Sequence, residues 1–149
     1  MFDYPKKIDI ELVDDNAIMP VRGTGRSSGL DVFIPKDFVY TILRINSDIL
    51  IDLKIRFDIP PMWDFEVKNK SGIATKKKLI KGAELIDGDY TGRVKIHLFN
   101  IGNEAVILKP MMKIAQLVLR PVWLGELHQV ESIDIVTERG DGSFGSTGE

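Results

Sequence analysis

Residues 48–59 read DILIDLKIRFDI, and their alternation decides the fold class. Ile49, Ile51, Leu53, Ile55 and Phe57 fall at every second position, with Leu50, Asp52, Lys54, Arg56 and Asp58 between them. Successive side chains of a strand point to opposite faces, so this spacing predicts one antiparallel strand with a dry and a wet face. Pro60 and Pro61 end it, because proline has no N–H to give a ladder.

The same period recurs on both sides. In residues 6–13 (KKIDIELV) Ile8, Ile10 and Leu12 share a face, and residues 30–35 (LDVFIP) form a short strand carrying Asp31 inside an apolar run. Residues 38–45 (FVYTILRI) are rich in β-branched and aromatic side chains. Downstream, Trp63, Phe65 and Val67 alternate with Asp64, Glu66 and Lys68; Val94, Ile96 and Leu98 alternate with Arg93, Lys95 and His97. Residues 105–108 and 114–119 are further apolar strands parted at Pro110, and 122–127 with 132–136 complete the folded part. Only 71–79 has helix potential. Many short strands separated by turn signals predict an all-β sandwich or barrel with at most one short helix.

A chain of 149 residues is of single-domain length, and 44% hydrophobic with 28% charged residues is an ordinary globular balance. A net charge of −2 lacks the basic excess of a nucleic-acid binder, so none is expected as partner. Zero cysteines exclude disulfides, thiolate catalysis and cysteine-held zinc, and two histidines are too few for a histidine-rich metal site. No apolar run reaches the length of a membrane span, and MFDYPKKIDI has no signal-peptide core, which predicts a soluble, cytoplasmic domain.

Residues 137–148 (TERGDGSFGSTG) interleave four glycines with Arg139, Phe144, Ser146 and Thr147. Such density sustains neither helix nor strand. It reads either as a loose tail or as a phosphate-gripping segment, since glycine-rich turns present successive N–H groups to anions and arginine offers a bidentate fork. Four more polar or glycine-bearing segments lie between strands: SSGLD (27–31), KSGIA (70–74), LIDGDYTG (85–92) and KIAQL (113–117).

In this order and at these intervals the five segments closely resemble the five motifs of the trimeric deoxyuridine triphosphatases (dUTPases), over nearly the whole chain. The resemblance implies a jelly-roll-like β-barrel of dUTPase type over residues 1–136, and a flexible glycine-rich arm, 137–149, that closes over an active site. It implies hydrolysis of dUTP to dUMP and pyrophosphate, limiting uracil incorporation into DNA and supplying dUMP for dTMP synthesis. Mg²⁺ rides on the triphosphate, and the homotrimer shares its active sites. Asp87 matches the catalytic aspartate that activates a water for attack on the α-phosphate, a step a carboxylate can serve as base. Viewed alone, Asp87 reads more readily as a turn aspartate capping its own backbone, a task for which Asp89 is the better candidate within the motif.

Within the same resemblance Leu85 and Ile86 border the nucleotide, and the Tyr90 ring packs on deoxyribose. Lys70, Ser71 and Gly72 grip the phosphates, with lysine where the family usually has arginine, giving up the planar fork. Asp31 and Gln116 hold the waters of the metal, which needs no direct protein ligand; Gln116 also borders the phosphates, and Lys95 lies near the substrate. Phe144 and Gly145 cover the base, Arg139 meets the γ-phosphate, and Ser146 and Thr147 donate to phosphate oxygens. Lys81 stands where relatives carry a base-reading asparagine, which leaves main-chain groups of 82–85 to do more of that reading. Two rival readings remain. One is a dCTP deaminase, although His97 occupies the place of its catalytic glutamate. The other is a dUTP-responsive regulatory binding protein, although no insertion between the motifs demands a protein partner.

Overall fold

The computed structural model describes residues 4–133, 136–138 and 140. Twelve strands and one helix follow in chain order: β1 (Asp9–Leu12), β2 (Val21–Arg22), β3 (Leu30–Phe33), β4 (Thr41–Leu43), β5 (Asp48–Asp52), β6 (Ile55–Asp58), β7 (Trp63–Asn69), α1 (Ser71–Lys77), β8 (Leu79–Lys81), β9 (Leu85–Ile86), β10 (Lys95–Asn100), β11 (Val106–Leu108) and β12 (Lys113–Pro121). The expected all-β class with one short helix is what forms. The strands assemble into small antiparallel sheets in the orders β1-β6, β5-β10-β8, β11-β4 and β2-β3-β12-β7-β9. The sheets do not close into a continuous barrel but wrap one core in jelly-roll fashion. No helix among the described residues is long and apolar enough to cross a membrane.

The single strand expected over 48–59 is instead two strands meeting at a corner. β5 pairs with β10 and β6 with β1, so the chain changes sheet between Asp52 and Ile55. Lys54 sits at the bend with φ of 58°, a left-handed conformation that strains a residue bearing a Cβ. Local bonds offset that strain. Asp52 Oδ1 accepts from Lys54 N (2.8 Å), and Lys54 Nζ bridges Asp14 (2.9 Å) and Asp37 (2.5 Å). Val94 stitches the corner, its carbonyl accepting from Leu53 N and its N–H donating to Ile55 O. Ile51, Leu53, Ile55 and Phe57 still face inward, so the alternation correctly reported burial and was silent about pairing. Phe57 packs on Phe65 with ring centroids 4.7 Å apart. Among buried polar groups, Asn100 is satisfied by bonding Leu43 O, Glu104 O and Gly102 N, which ties β10 to β4 and the following loop.

Met62 and Met111 also hold left-handed backbones, with φ of 66° and 63°. Met111 is 62% exposed, so its side chain contributes little burial against that strain. Glycine relieves the Cβ clash at the cost of unfolded-state entropy, and the balance favours relief at such a site. Met111→Gly should therefore raise stability by about 0.5–1 kcal/mol, roughly 2 °C in Tm. A lowered melting temperature in thermal unfolding would contradict this.

The chain leaves the sheet after β12. Residues 122–127 form no strand, and Val122 N donates to Met62 O (2.8 Å) as the chain leaves the sheet. Trp123, Leu124, Leu127, Val130 and Ile133 are then all more than half exposed. Their side chains suit a strand, but the described residues of this copy supply neither the ladder nor the core that they need.

Candidate active site

Strand register gathers the first cluster. Asp31 on β3 lies opposite Gln116 on β12, which lies opposite Lys68 on β7, so the three share one row. Leu30, Leu117 and Val67 form the next row, and Leu117 and Val67 turn into the core. Asp31 is only 5% exposed and is gripped by two ammonium groups. Lys70 Nζ donates to both its oxygens at 3.0 Å, and Lys113 Nζ to Oδ2 at 3.0 Å. Burial alone would raise the Asp31 carboxyl, but the bonds from Lys113 and Lys70 outweigh it and hold the group below its ordinary value. Asp31 is an anion here.

Lys70 stands at the N-cap of α1, where its carbonyl accepts from Ile73 N and Ala74 N. Ser71 and Gly72 follow in the exposed first turn, where N–H groups have no helical acceptor, and nothing stands within 4 Å of where a Gly72 Cβ would lie. Gln116 Nε2 donates to Asn69 O (2.9 Å). Its amide lies over Gly29, where a Cβ would overlap it, so glycine in SSGLD makes room for the Gln116 side chain.

The second cluster is the turn after β9. Leu85 is exposed and Ile86 buried, their register with Glu66 and Phe65 pinning the strand to β7. Tyr90 N donates to Asp87 O (3.0 Å), closing a turn around Gly88 and Asp89. A Cβ on Gly88 would come within 2.6 Å of Trp63 O, so only glycine lets the turn pack this closely on β7. Tyr90 is 43% exposed, its hydroxyl donates to Arg93 O (2.9 Å), and its ring lies over Gly92. The turn is thus fixed by main chain and ring. Neither Asp87 nor Asp89 has a side-chain hydrogen bond or ion pair with a described residue, so Asp89 does not take the capping task expected of it. Asp87 borders a cleft of about 590 Å³ walled by Pro61, Met62, Trp63 and Leu124. Beside it Asp64 is buried but neutralised by Arg120, whose Nε and Nη2 donate at 3.1 and 2.9 Å.

The side chains of Lys95, Lys81 and His97 make no hydrogen bond or ion pair with Asp31, Gln116, Asp87 or Tyr90. Lys95 is exposed on β10 opposite Asp52, which pairs with Arg93 (2.9 Å). Lys81 is ion-paired with Glu84, and its N–H donates to Asn69 Oδ1 (2.8 Å). Of the main-chain groups left to read a base, Gly82 N already donates to His97 O and Glu84 O already accepts from Val67 N. His97 pairs with Asp48 (2.9 Å) and packs against Phe99, so no carboxylate stands on β10 at that place. Arg139, Phe144, Gly145, Ser146 and Thr147 lie outside the described residues. The roles of Lys113, Asn69 and Gly29 were missed from sequence, because only the strand register reveals their contacts.

The two clusters are far apart within one chain. Asp87 continues β9 beyond the pair Ile86–Phe65, which places it level with Asp64, four residues along β7 from the row of Asp31 and three strands across. At strand dimensions that is a separation of roughly 20 Å.

The sequence profile of the dUTPase family matches residues 15–148. The deoxyuridine 5'-triphosphate nucleotidohydrolase of Mus musculus is 37% identical over 137 residues, spanning 92% of this chain and 82% of the mouse protein. That of a Hydrogenobaculum species is 32% identical over 144 residues, covering 95% of this chain and 98% of its own. In three dimensions the fold superposes on a Staphylococcus bacteriophage 80alpha dUTPase variant with dUpNHpp, with a TM-score of 0.85 and 26% identity over 97% of this chain and all of that one. With the profile covering all five motifs and the relatives covering almost the whole chain, this protein belongs to the dUTPase family.

Proposed function

We propose that this protein hydrolyses dUTP to dUMP and pyrophosphate in the cytoplasm, limiting uracil incorporation into DNA and supplying dUMP for dTMP synthesis. The observation that carries the reading is Asp87, an exposed carboxylate with no side-chain partner among the described residues, on a turn held by Gly88 and Tyr90 in a member of this family. Asp87 accepts the proton of the attacking water and orients it at the α-phosphate. The Tyr90 ring, braced by Arg93 O, lies against deoxyribose and leaves no room for a 2′-hydroxyl. Leu85 and Ile86 frame the nucleotide, and Lys95 stands near it. Lys70 with the amides of Ser71 and Gly72 holds phosphate oxygens, Lys70 acting as a point charge rather than a planar fork.

The donor set fits Mg²⁺ carried in on the triphosphate, not a resident ion. No group of three potential ligands occurs among the described residues, while Asp31 and Gln116 stand side by side as acceptors for metal-bound water. When bound, the ion neutralises charge developing on the phosphates.

The gap of roughly 20 Å between Asp87 and the row of Asp31, to which Lys70 Nζ is bonded, is too wide for one triphosphate to span. The site is therefore completed between copies in a homotrimer, Asp87 and Tyr90 coming from one subunit and Lys70, Asp31 and Gln116 from another. The exposed apolar residues of 122–133 give such a neighbour something to cover. The arm, residues 137–149, closes over the assembled site with Phe144 and Gly145 on the base, Arg139 on the γ-phosphate, and Ser146 and Thr147 donating to phosphate oxygens.

The test is pyrophosphate release from dUTP, dTTP, dCTP and UTP side by side, with and without Mg²⁺. Turnover is expected for dUTP alone and only with the metal. Ammonia released from dCTP would overturn the reading, as would equal turnover of UTP.

A further inference from the structure

Asp31 carries a bonding pattern that the roles above do not explain. One lysine suffices to neutralise a carboxylate, yet two converge on this one: Lys70 Nζ bonds both oxygens, and Lys113 Nζ bonds Oδ2 only, all at 3.0 Å. Asp31 is 5% exposed, so water cannot readily replace a lost partner.

Lys113 reaches Asp31 through an irregularity in the ladder. It pairs with Phe33 while Ala115 pairs with Val32, so one extra residue is accommodated between them on β12. Such a bulge re-aims a side chain. Here Lys113 Nζ also lies 5.5 Å from the Phe33 ring centroid, a cation–π contact that helps steady the ammonium.

We infer that Lys113 is a positioning residue that makes Lys70 exchangeable: it keeps Asp31 paired while Lys70 leaves the carboxylate for the phosphates of the nucleotide. The inference rests on the reading of Lys70 proposed above. Removing one partner from a buried ion pair strands the other charge, which is strongly unfavourable. If Lys70 were the sole partner of Asp31, each nucleotide bound would incur that penalty. With Lys113 fixed on Oδ2 the carboxylate keeps a counter-ion and its orientation, and departure of Lys70 uncovers Oδ1 as a free acceptor facing the same site. The exchange needs this asymmetry: Oδ1 is bonded by Lys70 alone, while Oδ2 is bonded by Lys113 as well.

The experiment is a double-mutant cycle on the full chain with Lys113→Met, Lys70→Met and the double variant, read as KM and kcat for dUTP and as Kd for dUpNHpp and dUMP. Lys113→Met should raise KM for dUTP and Kd for dUpNHpp about tenfold or more, with a smaller change in kcat, because Lys70 becomes locked on Asp31. Affinity for dUMP should change much less. In the Lys70→Met background the same substitution should have little further effect, and Lys113→Arg should restore binding to within about threefold. A second pair guards against a folding defect: with Asp31→Asn there is no charge to strand, so Asp31→Asn with Lys113→Met should bind dUpNHpp as Asp31→Asn alone does.

Additive effects of Lys70→Met and Lys113→Met on Kd for dUpNHpp would overturn the inference and leave the proposed function standing. Equal weakening of dUMP and dUpNHpp would do the same. A wild-type protein that neither binds dUpNHpp nor hydrolyses dUTP would overturn the proposed function, and the inference with it.

Discussion

Asp87→Asn is expected to slow dUTP hydrolysis about 10³-fold while leaving affinity for the nucleotide close to that of the native chain. The size follows from what the substitution removes. Asparagine matches aspartate in shape, so the turn should persist: its closing bond uses the Asp87 carbonyl, and its packing uses Gly88 on Trp63 O. Stability should also hold, because the carboxylate has no side-chain partner among the described residues to lose. Only the capacity to accept a proton and the negative charge disappear, and positioned acid–base groups contribute about 10²–10⁴-fold. Direct binding of dUpNHpp alongside steady-state turnover of dUTP separates the two effects. Activity within tenfold of native would reassign the base, and a matching loss of affinity would give Asp87 a binding role instead.

Much of this arrangement is legible in the chain and some of it is not, for physical reasons that differ by place. Alternation in 63–68 and 93–98 reports which side chains face inward, and with the apolar run 114–119 these segments fall on strands β7, β10 and β12. The same signal fails at Lys54, because facing is a property of one strand while pairing belongs to two. A left-handed residue lets the chain change sheets without breaking the period. Residues 122–127, expected to complete the folded part, form no strand, since composition cannot supply a neighbouring ladder and the described residues of this copy offer none.

The site divides along the same line. Asp31, Lys70 and Gln116 are remote in sequence, and antiparallel register alone brings them together. The motif resemblance gives roles to these three but none to Lys113, the first residue of KIAQL, since a lysine opening a strand looks like any solvated cation until its bond to Asp31 is seen. Glycines behave likewise: Gly29 and Gly88 look like generic turn residues, and only the Gln116 amide and Trp63 carbonyl pressed against them explain their identity. The distance between Asp87 and Lys70 is also invisible in sequence, where both lie in adjacent motifs.

That distance makes the decisive measurement possible. Copies carrying Asp87→Asn and copies carrying Lys70→Met, each with a different affinity tag, should be nearly inactive when prepared alone. If Asp87 and Lys70 of one working site come from different subunits, mixed assemblies regain sites with both native residues. Random mixing at equal amounts restores about a quarter of the sites, because each site draws the two residues independently. Co-expressed chains purified through both tags should therefore hydrolyse dUTP far faster than either variant alone. Activity no higher than the mean of the two separate variants would contradict the account, because it would require Asp87 and Lys70 to act within a single chain.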